Sequence, residues 1–509
     1  MTSKRKWLAL GGLIISVLVL GLDLTIMNVA LPTMAADLGA GTGELQWIVD
    51  SYALVFAAVM LPAGLLGDRF GRRRLLVAGL AVFLGGSVLG AVASTPAGVI
   101  AARTVMGLGA ALIMPLALSV IPTLFKGKEQ TKAVAALTVG MSVGLPFGPL
   151  VSGWLLENFY WGSVFIINIP FVAVGIVACL TLVPETRDPS APRLDLTGAA
   201  LGVLGLGALV YGLIEAPIAG WGDPVIVLSL AAGVLMLTGL VLRARRATRP
   251  ILDLELLEDP AYRWNAAIAT LAMFVMMGLV FVLPLYLQAV LGHDAFGTGL
   301  RLMPLLAGML VVARAVPPLT ARIGSRPVIA GGMAMLGLAM LLGSATGTGT
   351  GYGFTALWTV IAGLGVSFAM MPAMDRALAA LPAGREGIGT GLLTTLRQVG
   401  GAIGVALLGS LLNAVYKDRI DTGGLPAAAA EAAGESVVAA QAVAERLNAP
   451  QLAESARAAH VHGMGVVLLV SGVLALAMAV LAALVLPDDR EDETAPGAPA
   501  EPGPAVARE

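Results

Sequence analysis

The sequence predicts an all-α integral membrane protein of fourteen transmembrane helices, grouped as six, then two, then six. Three observations carry that expectation. Of 509 residues, 58% are hydrophobic and only 12% charged, with a mean hydropathy of +0.89; an ordinary soluble domain carries about 25% charged residues. Apolar stretches of about 20 residues, the length that crosses a hydrocarbon core of about 30 Å, recur along the whole chain. The basic residues also sort to one side of the spans that those stretches define.

The first six spans fall near 8–32, 46–67, 75–93, 97–119, 133–155 and 162–183. Short polar or Gly/Pro-containing turns separate them. Two more follow near 196–215 and 224–242, and a final six near 264–290, 300–320, 327–346, 352–374, 388–415 and 464–486. This grouping divides the chain into a six-helix bundle over 1–190, two inserted helices over 191–250, a second six-helix bundle over 251–487 and a tail over 488–509. The tail is acidic and rich in Pro and Ala, a composition that cannot bury enough apolar surface to fold.

With the amino terminus inside, 23 of the 31 Lys and Arg fall on the inner side and none in the short outer loops. Lys417, Arg419, Arg446 and Arg457 sit in one long outer segment, 417–462, where the positive-inside bias is relaxed. An even number of spans then places both termini in the cytoplasm. The segment 417–462 is rich in Ala and Glu and is expected to form amphipathic helix. Lys4 to Lys6 before an apolar run resembles a secretory signal, but the run continues for about 25 residues without a small-residue cleavage site.

Several function classes are excluded. A formal net charge of −1 and a pI near 6.4 supply no field for nucleic acid. The single cysteine, Cys179, cannot form an internal disulfide. The chain lacks a G-x-x-x-x-G-K-[ST] phosphate loop, so it has no nucleotide motor of its own, and it lacks H-E-x-x-H. His293, His460 and His462 fall in outer loops or at span ends, so neither a metal nor a cofactor is expected.

The loop after span 2 reads Gly64-Leu-Leu-Gly67-Asp68-Arg69-Phe70-Gly71-Arg72-Arg73-Arg74. Gly64 and Gly67 let helices approach closely. Asp68 can sit at a helix N-terminus and pair with an arginine, a charge latch made in one conformation and broken in another. A merely topogenic basic loop explains Arg72 to Arg74 but not the spacing Gly-x-x-Gly-Asp-Arg-x-Gly. That spacing resembles the hallmark loop of the major facilitator superfamily.

Further motifs narrow the resemblance. Leu22-Asp23-Leu-Thr25-Ile26-Met27-Asn28-Val29-Ala30-Leu31-Pro32 in span 1 is similar to the signature of the superfamily's fourteen-span drug:proton antiporter branch. Arg103-x-x-x-Gly107-x-Gly109-Ala110 resembles its span-4 motif. In span 5, Gly140-x-x-x-Gly144-x-x-x-Gly148-Pro149-x-x-x-Gly153 resembles the antiporter motif that the superfamily's importers generally lack. The resemblance runs from about residue 7 to 486. It implies two six-helix bundles around a central cavity, with two extra helices between them, and proton-coupled export by alternating access.

The halves echo one another, which places a substrate site near the midplane between them. Ala321-Arg-Ile-Gly324-Ser-Arg326 is a degraded copy of the loop after span 2, and Gly400-Gly401-x-x-Gly404-x-x-x-x-Gly409 parallels the glycines of span 5. Two departures stand out. Trp161-Gly162-Ser163-Val164-Phe165 lacks the arginine usual after span 5, although Asn168 and Pro170 remain. Where some cation exporters of the branch carry an acid in span 13, this chain has Arg397 and Gln398.

The charges inside the spans define the expected site. Asp23 lies about 23 Å from the inner end of span 1, and Arg103 about 9 Å from the outer end of span 4, so their depths nearly coincide. A charge at such a depth costs at least about 2.5–3.5 kcal/mol, which favours pairing or a wet cavity over lipid. Asp23 and Arg103 are therefore either a proton switch, in which burial favours the neutral acid and the guanidinium favours the carboxylate, or a static pair. Asp50, in Gln46-Trp47-x-x-Asp50-Ser51-Tyr52, is a second proton candidate unless it snorkels outward.

Arg397, about 15 Å deep in span 13, is expected to face the cavity, with a substrate or a structural role. Arg314 is explained by snorkelling, and Arg301, Glu215 and Asp375 by positions near span ends. Asn28 and Gln398, with Met276, Met277 and Met303 of a Met-rich set in the second half, are the further cavity candidates; ordinary packing is the alternative for the methionines. Pro146 and Pro149, beside the span-5 glycines, are expected to bend or loosen that helix. The expectation is a monomeric, proton-coupled exporter of amphipathic small molecules such as antibiotics, dyes or a secondary metabolite. A narrow exporter of an anionic or zwitterionic metabolite is the alternative.

Overall fold

The computed structural model describes residues 3–126, 128–187, 195–246, 254–312, 314–382 and 386–486. The tail expected over 488–509 lies outside them. All secondary structure among the described residues is helical. The first group is α1 (Ser3–Leu38), α2 (Thr42–Phe70), α3 (Arg72–Val92), α4 (Pro96–Leu124), α5 (Lys128–Asn158), the single turn α6 (Ser163–Ile166) and α7 (Asn168–Leu182). Then come α8 (Leu196–Ala219) and α9 (Pro224–Arg246).

The last group opens with α10 (Pro260–Leu285), which ends in a π-helical turn, Tyr286–Val290. After it run α11 (Ala295–Arg301), α12 (Met303–Val312), α13 (Val316–Ile323), α14 (Ser325–Ser344), α15 (Tyr352–Ala379) and α16 (Glu386–Arg419). The short α17 (Ala427–Glu435) and α18 (Val437–Leu447) precede α19 (Pro450–Val485).

Local chemistry sets the starts. Thr95, Asp195, Asp259, Asp294 and Ser436 each accept a hydrogen bond from a first-turn amide of the helix they precede, the side-chain cap that exposed helix N-termini need. Pro260 and Pro450 occupy first-turn positions, where a missing N–H is harmless.

Among the described residues, twelve helices are long and apolar enough to cross a membrane. Beside them α2 and α5 are 29 and 31 residues long, and α5 runs unbroken through 146 and 149. Span 10, expected as one helix over 300–320, is three: Pro304 opens α12 and Pro317 and Pro318 open α13, each removing a donor from the helical ladder. The last helix begins at Pro450, not near 464, so His460 and His462 lie within α19 and His460 is buried. Segment 417–462 is helical as expected, and α17 and α18 bury Ala433, Val437, Ala440 and Ala444 with Tyr416.

The side of the molecule carrying the α1–α2 turn is here the loop face; Ser3 and Val485 end on the opposite, terminal face. On the loop face the two groups meet. Gln46 Nε2 of α2 donates to the carbonyls of Val405 (3.0 Å) and Ala406 (2.9 Å) in α16. Gln288, in the π-helical turn, donates to Val29 O at 2.9 Å, and Thr42 Oγ1 donates to Glu435 O at 2.8 Å. α8 staples the seam from outside, with Glu215 accepting from Trp47 Nε1 (3.0 Å) and Leu213 O from Ser410 Oγ (2.6 Å). α9 turns Val227, Leu228, Val234 and Leu235 outward.

The internal echo is structural. A Cβ on Gly144 of α5 would stand 2.6 Å from Leu18 O of α1, and one on Gly400 of α16 would stand 2.6 Å from Thr270 O of α10. Only glycine allows these crossings. Gly71, between α2 and α3, and Gly324, between α13 and α14, both take positive φ (112° and 89°), a conformation that favours glycine.

Candidate functional site

Asp23 of α1 and Arg103 of α4, expected at the same depth, are in contact: Arg103 Nη1 donates to Asp23 Oδ2 at 2.6 Å, and both side chains are sealed from solvent. The other carboxylate oxygen accepts from Asn168 Nδ2 of α7 at 3.3 Å. Arg103 Nε donates to Ile48 O of α2 at 3.1 Å, and the guanidinium carbon lies 4.2 Å from the centre of the Tyr52 ring. The ion pair therefore ties four helices, α1, α2, α4 and α7. Its low-dielectric setting makes each bond strong and each lost partner costly.

The antiporter-motif glycines hold α1 at this point. A Cβ on Gly144 would also lie 2.7 Å from Leu22 N, and one on Gly148 would lie 3.0 Å from both Ile26 N and Leu22 O, the residues flanking Asp23. Gly153 and Pro149 serve a different contact. A Cβ on Gly153 would come 2.8 Å from Ala295 O, and one on Gly299 of α11 would run into Pro149 O. The first part of the motif thus packs α5 on α1, and the last part packs it against α11 across the seam.

Asp50 departs from the snorkelling alternative. α2 starts at Thr42, so Asp50 lies eight residues in and is fully buried, with neither oxygen hydrogen-bonded among the described residues. It sits one turn beyond Gln46. The cavity candidates divide. Asn28 is buried and its amide donates to Leu24 O of its own helix (2.9 Å). Met276 packs in the main apolar core, and Gln398 is buried. Met277, Met303 and Arg397 are half-buried. Arg397 Nη1 touches Met374 Sδ at 3.3 Å, while its Nε is buried without a partner among the described residues. Arg314 is exposed at the break between α12 and α13, and Arg301 lies over the Tyr352 ring at 5.3 Å.

At the latch, the Asp68 side chain lies outside the described residues. Arg69 is exposed over Phe70, and Arg72 Nη1 donates to Ser119 O of α4 at 3.1 Å. A Cβ on Gly67 would run into the end of the Leu116 side chain, which would have to turn aside, whereas one on Gly64 would meet nothing closer than Pro115, at an ordinary 3.9 Å. Glu185, just after α7, takes the acidic part among the described residues. It accepts from the Arg73 amide at 3.2 Å and lies 3.7 and 3.6 Å from the Arg73 and Arg74 guanidinium nitrogens.

Sequence reasoning did not assign Tyr52, Glu185 or the Gln46–Gly409 contact, in which a Cβ on Gly409 would run into the Gln46 amide. A glutamine near the outer end of a span carries no period or charge signal that points to its partner.

Comparison with known proteins is consistent with this arrangement. Residues 13–405 match the Major Facilitator Superfamily. The tetracenomycin C resistance and export protein of Streptomyces glaucescens is 32% identical over 512 residues, covering 97% of this chain and 94% of the relative. The multidrug efflux pump LfrA of Mycolicibacterium smegmatis is 31% identical over 497 residues, covering 94% and 96%. Among solved structures, a bacterial homologue of the human lysosomal transporter Spinster, inward-facing and unoccupied, superposes with a TM-score of 0.67 at 17% identity over 98% of this chain and 100% of that one. That likeness concerns the fold.

Proposed function

The chain belongs to the major facilitator superfamily, and from that membership we propose that it exports amphipathic small molecules, such as antibiotics, dyes or a secondary metabolite, in exchange for protons. It is a transporter and not an enzyme. Export and resistance are what the names of its relatives describe, and they support this reading. In it the chain crosses the cytoplasmic membrane fourteen times as a monomer, with α2 and α5 completing the twelve apolar spans. The terminal face is cytoplasmic, as the basic residues suggest. The bundles are 1–190 and 251–487, with the inserted pair over 191–250. The state described is then closed to the outside by the Gln46, Gln288 and Thr42 contacts.

The observation that carries the reading is the sealed Asp23–Arg103 pair on the helix that Gly144 and Gly148 clamp. Protonation of Asp23 removes the charge that holds Arg103, while Asn168 and the Ile48 carbonyl remain as polar partners. The link between α1, α4 and α2 then loosens, and the bundle gains a second arrangement. A two-state element biased by proton and cargo is what exchange requires. Asp50, buried beside the Gln46 seam without a hydrogen bond, is the second proton site in this scheme. The loop at Asp68, Arg69, Gly71 and Arg72 latches the alternative state.

The test is proton-driven uptake of a fluorescent dye into everted vesicles under an imposed pH gradient. Asp23→Asn is expected to reduce it to background while dye-for-dye exchange persists. Undiminished proton-driven uptake removes Asp23 from the mechanism.

A further inference from the structure

Four arginines lie inside the expected spans, and three have an account. Arg103 is paired, Arg301 bonds Gly297 O and covers Tyr352, and Arg314 is exposed at a helix break. Arg397 has none. Among the described residues no carboxylate lies within 4 Å of it; its Nη1 meets only the Met374 thioether, a weak acceptor, and its Nε is buried with no partner. An unpaired charge inside a membrane span is costly and marks a functional site by default, and a buried unsatisfied donor calls for an explanation.

Its position supplies one. Arg397 is eight residues before Val405, so it lies about 12 Å to the terminal side of the Gln46 closure. Val399 packs with Leu54 of α2 and Leu206 of α8; Arg397, two residues away, projects from roughly the opposite side of α16, toward α15. Methionines lie on this side of α16. Met374 of α15 touches the guanidinium, and Met273 and Met277 of α10 lie beside Gly401, one turn along α16, with Cγ atoms 3.5 and 3.0 Å from a Cβ built there. All three methionines are half-buried, and flexible thioethers adapt to varied apolar shapes.

We infer that Arg397, with Met273, Met277 and Met374, forms a subsite for the acidic group of an organic anion whose apolar body rests on the methionines. The inference rests on the exporter reading and narrows its cargo. A guanidinium presents a planar fork that matches a carboxylate in a bidentate pair, and the buried Nε is one arm of that fork. The methionines favour the ring system and reject nothing by shape, so charge does the selecting.

The test uses the full chain in lipid nanodiscs and two probes with one ring body, anthraquinone-2-carboxylate and anthraquinone-2-carboxamide, with binding read by tryptophan quenching. The acid is expected to bind about tenfold or more tightly than the amide. Arg397→Gln is expected to bring the ratio to about one, and Arg397→Lys, which keeps the charge and loses the fork, to an intermediate value. Equal binding of the two probes by the wild type, or a preference that survives Arg397→Gln, overturns the subsite. Proton-driven uptake of both probes into everted vesicles is measured alongside. Equal proton-driven uptake of the acid and the amide ends this inference and leaves the exporter reading standing; an acid preference in binding without proton-driven uptake of either probe does the reverse.

Discussion

Arg103 Nη1 stands 2.6 Å from Asp23 Oδ2 in a space that neither lipid nor water reaches. Breaking a buried pair by removing one partner leaves an uncompensated charge and costs about 3–5 kcal/mol, whereas replacing both is far milder. Asp23→Leu and Arg103→Met are therefore each expected to lower thermal stability in detergent, and the double variant to be more stable than either. Additive losses in this double-mutant cycle would mean that the two side chains are not energetically coupled.

Gly148 and Gly144 predict a second effect with a different signature. A side chain at either position meets α1 backbone, and backbone cannot move aside as a flexible side chain can. Overpacking of this kind costs about 1–3 kcal/mol, but here it also displaces Leu22 and Ile26, and Asp23 with them. Gly148→Val is expected to retain dye binding, to lose proton-driven uptake and to weaken the coupling seen in the Asp23–Arg103 cycle. Gly64→Ala, whose new methyl group would be 3.9 Å from Pro115, is expected to leave all three unchanged. Normal uptake by Gly148→Val would show that α5 does not position Asp23.

What could be read from the chain follows from which signals are rare. Charges inside apolar spans are rare, and the helical rise converts residue counts into depth, so Asp23 and Arg103 could be paired before any coordinates. Tyr52 and Asn168 could not be attached to them, because neutral polar residues are common in spans and only packing decides what they touch. Hydropathy begins span 2 near 46, which leaves snorkelling open for Asp50, while the helix begins at Thr42; the four extra residues carry it inside. The break in span 10 was visible in Pro304, Pro317 and Pro318, but a hydropathy window averages over such points. Glu185, the acid at the basic loop, comes from the far end of α7, and local sequence gives no reason to bring it there.

The seam at the loop face gives a conformational prediction. Gln46 donates to two carbonyls of α16 and fills the space above Gly409. Each such bond contributes about 0.5–1.5 kcal/mol net, and about 1.4 kcal/mol shifts an equilibrium tenfold. Gln46→Leu, which loses both bonds, is therefore expected to move the population about fivefold to about a hundredfold away from the loop-closed state, and Gly409→Leu further, because its side chain and Gln46 cannot occupy one place. Spin labels at positions 37 and 451, both exposed on the loop face, in a chain whose buried Cys179 is replaced by alanine, would report this as a longer distance population. An unchanged distance distribution in both variants would place the closing contact elsewhere.

Glu435 makes the loop face pH-sensitive. It ends α17 where that helix meets α2, and its backbone carbonyl accepts from Thr42. Burial holds its carboxyl above the ordinary value of 4.5; the nearby charges of Glu44 and Glu431 add to the rise, and Lys417 opposes it. A carboxyl whose docked value is raised binds its proton more tightly when docked. Its contribution to docking is then fully present below 4.5 and is lost as the pH climbs through the raised value. Hydrogen exchange across Val437–Leu447, corrected for the intrinsic rate, is expected to be slower near pH 5 than near pH 7.5. Glu435→Gln keeps the shape and removes the titration, so it should flatten that difference while leaving the Thr42 contact in place. A pH response that persists in Glu435→Gln would assign it to Glu44 or Glu431.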